Sequence, residues 1–238
     1  MTSMRRHSAE SGYPRGEETR ARIVRTAIAL FGEKGFTGVS TREIANAAGV
    51  PAPSIQYYFE NKEGLYDACL EDIQASASNA VGPALYQIEE MLAKNAAADQ
   101  LIDGYCTVLD SLADFLFGAP DAASRALFVA QLRTSSAPRR KSEKGITVGK
   151  RIQDGCTAII VRITQDRLTE DEAKLVSATV NGQLFIIHVA RDHVGELVGW
   201  DEITPARIGA LKAVIRKQTT VVLNSYRPRR DENDKTIT

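Results

Sequence analysis

The sequence predicts an all-α protein: a three-helix N-terminal head bearing a helix-turn-helix, followed by a larger helical domain. Three observations predict it. Apolar residues recur at helical spacing along nearly the whole chain, and strand-like alternation is almost absent. Ser40–Glu43 and Thr169–Glu172 each have the hydroxyl-then-carboxylate spacing of a capping box. The run from Thr41 to Phe59 places small, glycine and branched residues where two short helices crossing at a tight turn need them.

In chain order, Met1 to Gly16 is polar and rich in Gly, Ser and Pro, and reads as a mobile arm. Ile23, Ala27, Leu30 and Phe31 then mark one face of a helix over 19–34. Lys34 suits the negative end of that helix, and Gly35 suits a left-handed cap. The next helix, 41–48, opens on the Ser40–Glu43 box, with Val39 and Ile44 as a hydrophobic staple. Counting from Thr41, Ala45 stands fifth, Gly49 ninth and Ile55 fifteenth. Ala45 lets the helices approach, Gly49 makes the turn, and Ile44, Val50, Ile55 and Phe59 lock a second helix at 52–59 onto the first.

Asn61 can cap a helix over 62–80 that carries Leu65, Cys69, Leu70 and Ile73 on one face, and Gly82-Pro83 is expected to end that pattern. Helices follow at 84–95, 98–117 and 121–134, then a charged loop at 134–145. Further helices are expected at 146–166, 170–194 and 204–225, the last with Thr204 as cap and Pro205 in its first turn, before a tail that frays from Arg227. The expected division is an arm at 1–16, a head at 17–62, a regulatory and dimerisation domain at 63–226 and a tail at 227–238. Between Val180 and Ala190 the helix is apolar nearly all round, which requires burial on all sides. The final helix presents Ile208, Leu211, Val214, Ile215, Val221 and Val222. Two such faces exceed what one small domain's core requires, so a partner is expected.

The chain has 238 residues, 43% hydrophobic and 25% charged, which suits one or two globular domains. No apolar run is long enough to span a membrane, and Arg5-Arg6 precedes no apolar segment of an export signal, so a cytoplasmic protein is expected. Cys69, Cys106 and Cys156 are widely spaced and read as reduced structural thiols. His7, His188 and His193 are too scattered for a metal site, and neither a nucleophile elbow nor a phosphate loop is present. An enzyme is therefore not expected, nor is a metal or cofactor. Net charge is zero, but residues 1–62 hold nine basic and six acidic residues against 21 and 24 in the rest. The basic excess lies at the end that would meet phosphates.

A helix-turn-helix can lay its second helix in a DNA major groove. Pro53, Gln56 and Tyr57 lie opposite Ile55 on the helical wheel, and Gln56 has the donor and acceptor that pair with adenine. Thr41 and Arg42 begin the preceding helix, where free amides favour a phosphate, and Lys62 can reach the backbone. For Tyr58 the plain alternative is packing against the first helix; for Arg42 it is a solvated charge. Arg5, Arg6 and Arg15 could enter a minor groove, though a solvated tail is the simpler reading.

The motif AxxLFxxxGF (Ala27, Leu30, Phe31, Gly35, Phe36), the TREIAxxAGV run (Thr41 to Val50) and IxYYFxNKExLY (Ile55 to Tyr66) together resemble the TetR family of bacterial transcriptional regulators. The resemblance implies DNA contacts at Thr41, Arg42, Ala52, Pro53, Ser54, Gln56, Tyr57, Tyr58 and Lys62. It implies a homodimer formed through the helices near 170–194 and 204–225, a palindromic operator, and repression relieved by a small-molecule effector. The stretch around GWDEITPARI and the closing helix also resembles a CecR-like regulatory domain. Two departures stand out: Pro51 replaces a small hydroxylic cap, and Gln56 replaces a usual tyrosine. Walls for an effector are offered by Leu101, Tyr105, Leu109, Leu112, Phe115, Leu116, Phe128 and Leu132, and polar groups by Gln131, Arg133, Asn181, Gln183 and His188. Tyr105, Leu109, Phe128, Gln131, Arg133, Asn181 and His188 form the candidate ligand set, against the plainer reading of each as core. The competing function is a helical ligand-binding or interaction protein whose helix-turn-helix no longer binds DNA.

Overall fold

The computed structural model describes residues 13–134, 147–165 and 167–228, and the regular structure of these residues is entirely helical. In chain order the helices are α1 (Tyr13–Lys34), α2 (Thr41–Ala47), α3 (Pro53–Phe59), α4 (Lys62–Ala93), α5 (Ala98–Phe117), α6 (Ala122–Thr134), α7 (Val148–Thr164), α8 (Glu170–Val189), α9 (Arg191–Val198) and α10 (Pro205–Ser225). Among the described residues no helix is long and apolar enough to cross a membrane.

Three elements depart from the spans expected of the sequence. Helix α1 starts at Tyr13 rather than 19, with Pro14 in the first turn, where its missing N–H breaks no helical bond. Gly82-Pro83 does not end α4, which runs unbroken to Ala93. Pro83 faces solvent, while Val81, Ala84, Leu85 and Ile88 around it are buried. Burial of that stripe outweighs the one lost backbone bond. The helix expected over 170–194 divides at Ala190. Helix α9 has no buried residue, so no core face holds it in line with α8.

The chain forms two compact units. The first contains described residues 13–73 and 123–134, and its centre is aromatic. Phe31 of α1 lies 5.9 Å from Phe36, 5.2 Å from Tyr66 and 6.4 Å from Phe128, centroid to centroid. Gly32 brings α1 onto the α6 backbone, since a Cβ there would stand 2.9 Å from the Phe128 amide nitrogen. Helix α6, far along the chain, thus closes the head.

The second unit contains described residues 74–122, 147–165 and 167–228. Its core is drawn from the later part of α4 and from α5, α7, α8 and α10, including Leu85, Ile88, Leu109, Ile159, Leu184 and Leu223. A polar seam fastens α5 to α10. Arg216 donates to Asp103 at 2.5 Å and to Asp110 at 2.6 Å, Lys212 pairs with Asp114 at 2.8 Å, and Arg227 with Asp99 at 2.5 Å. Arg227 is therefore tied down, contrary to the expected fraying from that residue. Cys69, Cys106 and Cys156 are free and buried.

Candidate nucleic-acid interface

The interface is built on local capping chemistry. Ser40 ends in extended backbone (φ −94°, ψ 155°), and its Oγ accepts from the Glu43 amide at 3.2 Å. The Glu43 carboxylate in turn accepts from the Ser40 amide at 2.7 Å. That backbone hydrogen bond, more than any other contact, holds the Glu43 carboxyl below its ordinary pKa. Val39 and Ile44 are both buried, as the staple requires. At the other end of α2, Gly49 has φ +64°; its amide donates to Asn46, and the Val50 amide to Ala45. This pair of bonds is a Schellman turn, and it aims the chain into α3.

Helix α3 starts without a side-chain cap, as Pro51 implies; its N-cap is Ala52, followed by Pro53. Asn61 caps α4 through its Oδ1, which accepts from the Gly64 amide at 2.7 Å. Ile55 and Phe59 are buried and anchor α3 to the head. Arg20 of α1 lies over the Phe59 ring at 5.2 Å.

The opposite side of α3 is open. Ala52, Pro53, Gln56 and Tyr57 are exposed, Tyr57 to 83%. Ser54 and Thr41 are half-buried, and Arg42 is exposed at the first turn of α2. Tyr58 is half-buried with its ring edge-on to Tyr57 at 4.9 Å, and a Cβ on Gly16 would lie 3.8 Å from its hydroxyl. It therefore packs beside α1 while bracing Tyr57. Lys62 stands 4.6 Å from the Phe36 ring centroid, a cation–π contact that local sequence spacing does not reveal. Arg15 is exposed; Arg5 and Arg6 lie outside the described residues.

The structure does not gather the candidate ligand residues into one place. Phe128 is fully buried in the aromatic centre of the head, and Gln131 lies beside Gly35 in the same unit. The side chain of Arg133 lies outside the described residues. Tyr105, Leu109, Asn181 and His188 belong to the second unit. There the Tyr105 hydroxyl donates to Asn181 Oδ1 at 2.9 Å, and Asn181 Nδ2 donates to Ser177 Oγ at 3.3 Å. Cys156 borders this group, its thiol pushed up to about 12 by burial. Ser177 was not singled out from the sequence, although its i−4 spacing to Asn181 on one helix marks it.

His188 is 2% exposed, its ring edge-on to Phe117 at 5.6 Å. Its Nδ1 and the Nη1 of nearby Arg191 are buried without a hydrogen-bond partner. Burial first, then the Arg191 charge, depresses the imidazole from 6.5 to about 4. The folded chain thus refuses a proton that the unfolded chain accepts. This group's contribution is complete above pH 6.5 and is lost as pH falls from there towards 4. Denaturant midpoints measured between about pH 7.5 and about pH 5 should fall in the parent chain and fall less in His188→Phe. Equal slopes would remove His188 as the cause.

Comparison with known proteins agrees with this geometry. Residues 23–69 match the family model for bacterial regulatory proteins of the tetR family, and residues 105–226 match the C-terminal domain of the HTH-type transcriptional dual regulator CecR. A probable HTH-type transcriptional regulator of Bacillus subtilis, YttP, is 39% identical over 69 residues, covering 26% of this chain and 33% of that protein. The dual regulator CecR of Shigella flexneri is 35% identical over 96 residues, 39% of this chain and 43% of that protein. The chain thus aligns with less than half the length of these two relatives. Among solved structures, a TetR-like regulator from a Rhodococcus species superposes with a TM-score of 0.56 at 13% identity, covering 87% of this chain and 96% of that one. The TetR family regulator PfmR from Thermus thermophilus gives 0.54 at 19% identity, covering 86% and 95%. At these identities the structures speak to the fold alone.

Proposed function

The chain belongs to the TetR family of bacterial regulatory proteins, and on that premise we propose that it is a cytoplasmic, homodimeric repressor that binds a palindromic operator and is released by a small ligand. It is a DNA-binding regulator and not an enzyme. The observation that carries the reading is the capped helix-turn-helix with Gln56 and Tyr57 turned outward from a buried Ile55–Phe59 anchor. Gln56 reads a base edge, Tyr57 and Tyr58 cover sugar and phosphate, and Arg42 and Lys62 neutralise the backbone. Thr41, Ala52, Pro53 and Ser54 complete the surface.

A second copy is supported by the apolar residues that α8 and α10 leave bare: Ile186 is 64% exposed, Val214 54% and Val221 62%. Gln183, Val214, Lys217, Val221 and Val222 line a shallow groove of about 660 Å³ between these helices. A two-fold dimer sets its recognition helices about 34–36 Å apart, one turn of DNA. The ligand acts by binding the DNA-free state better than the DNA-bound state.

Sequencing genomic fragments selected by the purified protein should return one inverted repeat. On that repeat, Arg42→Ala and Lys62→Ala should weaken binding to all DNA and reduce the salt slope by about one each. Gln56→Ala should relax preference at one base position per half-site, by about 1–3 kcal/mol. Unchanged binding in all three variants would refute this set of contacts.

A further inference from the structure

We propose that the end of the second unit where α4 hands over to α5 and where α7 and α10 terminate holds a binding site for a small organic anion with an apolar body. A cleft of about 420 Å³ opens there, within the range of small-molecule sites. Its charged lining is Arg162 and Arg227. Arg227 Nη1 donates to Asp99 at 2.5 Å and to Asn224 at 2.8 Å, and Arg162 Nη1 donates to Asn95. These bonds engage a single terminal nitrogen of each fork, and a guanidinium has five N–H donors. Two cations set against the one carboxylate of Asp99 leave the site positive. The lesser, apolar share of the wall comes from Ala96, Ala98 and Pro228, with Leu101 and Ile163 buried behind it. Two guanidinium groups beside a small apolar wall fit a carboxylate carried on a compact organic body.

The backbone supplies an independent observation. Three non-glycine residues among those described have positive φ, and two of them, Asn95 and Gln165, both at +51°, line this one cleft. Elsewhere the chain uses glycine for the same left-handed geometry, at Gly35, Gly49 and Gly199. Glutamine in particular gains nothing there from conformation. Both residues end helices in this left-handed geometry, Gln165 as the C-cap of α7 and Asn95 just after α4, and both amides line the cleft. The site is separate from the Tyr105–Asn181 group and from the DNA-reading surface, so the inference does not depend on the operator reading.

The test is fluorine NMR on the full chain with para-trifluoromethylbenzoate, against the neutral para-trifluoromethylbenzamide. The benzoate should bind saturably and the benzamide about tenfold more weakly or worse, the size of one charge-assisted hydrogen bond. Arg162→Gln and Arg227→Gln should each weaken the benzoate about tenfold. Ala98→Leu, which fills the cleft and alters no charge, should abolish binding; it guards against loosening caused by loss of the Arg227–Asp99 pair. Arg151→Gln, whose parent residue pairs with Glu89 at the surface, should change nothing. Equal affinity for acid and amide, binding indifferent to Ala98→Leu and to both cleft arginines, or no saturable binding would overturn the proposal. The arginines would then serve only to close the ends of α7 and α10. Because binding is read on the free protein, each of these results leaves the operator reading standing.

Discussion

Alanine at Phe31 is expected to lower the stability of the head by about 3–5 kcal/mol, enough to unfold it near ambient temperature in many small domains. Phe31 is fully buried and meets Phe36, Tyr66 and Phe128 at centroid distances of 5.2–6.4 Å. Removing it forfeits the transfer energy of a benzyl group and three ring contacts. It also opens a cavity whose walls cannot collapse freely, because Gly32 already holds the α1 and α6 backbones at closest approach. Thermal melting followed by near-ultraviolet circular dichroism should show the loss. Phe31→Leu, which keeps most of the volume, should cost about half as much or less. A variant melting with the parent would show that the cluster is not the centre of the head.

Val221→Asp is expected to dissociate the dimer proposed above. Val221 is 62% exposed in the single chain, so aspartate there costs the monomer little. In a closed interface the same carboxylate would be buried without a partner, at about 3–5 kcal/mol per copy, which over two copies is a rise in Kd of about 10⁴-fold or more. Sedimentation should report a helical monomer, and operator affinity should collapse with it, because half-site binding loses the second recognition helix. Tyr86→Asp is the control: Tyr86 is 61% exposed and belongs to α4, not to α8 or α10. A Val221→Asp protein that remains dimeric would move the interface elsewhere.

What could be read in the sequence was what short-range chemistry decides. The Ser40–Glu43 and Thr169–Glu172 boxes, the Thr204–Pro205 start and the glycine turns at 35 and 49 each depend on residues within a turn of one another, and each is present. Pro83 misled because its local cost is real, but the decision rested on the buried stripe of α4. Phe128 misled for a related reason. Helical spacing says which face of α6 is apolar, not which unit receives it. Likewise nothing local tells that Lys62 lies on Phe36, or that Asp103 and Asp110 share one arginine on α10. On the candidate DNA surface, the inward pair Ile55 and Phe59 follows from periodicity alone, and the exposure of Gln56 and Tyr57 follows from it in turn.

The seam between α5 and α10 also sets an order in time. Its ion pairs join residues 98 to 128 positions apart. During synthesis α5 emerges long before its partner, with Asp99, Asp103, Asp110 and Asp114 along one helix and no cation of α10 yet available. The head waits as well, since Phe31 needs Phe128, roughly a hundred residues downstream, to close its aromatic centre. The head can therefore close only once α6 has emerged, and the second unit only once α10 has. A chain stalled before α10 would present an uncovered apolar core beside a row of repelling carboxylates, the state that cellular proteases and chaperones are built to find.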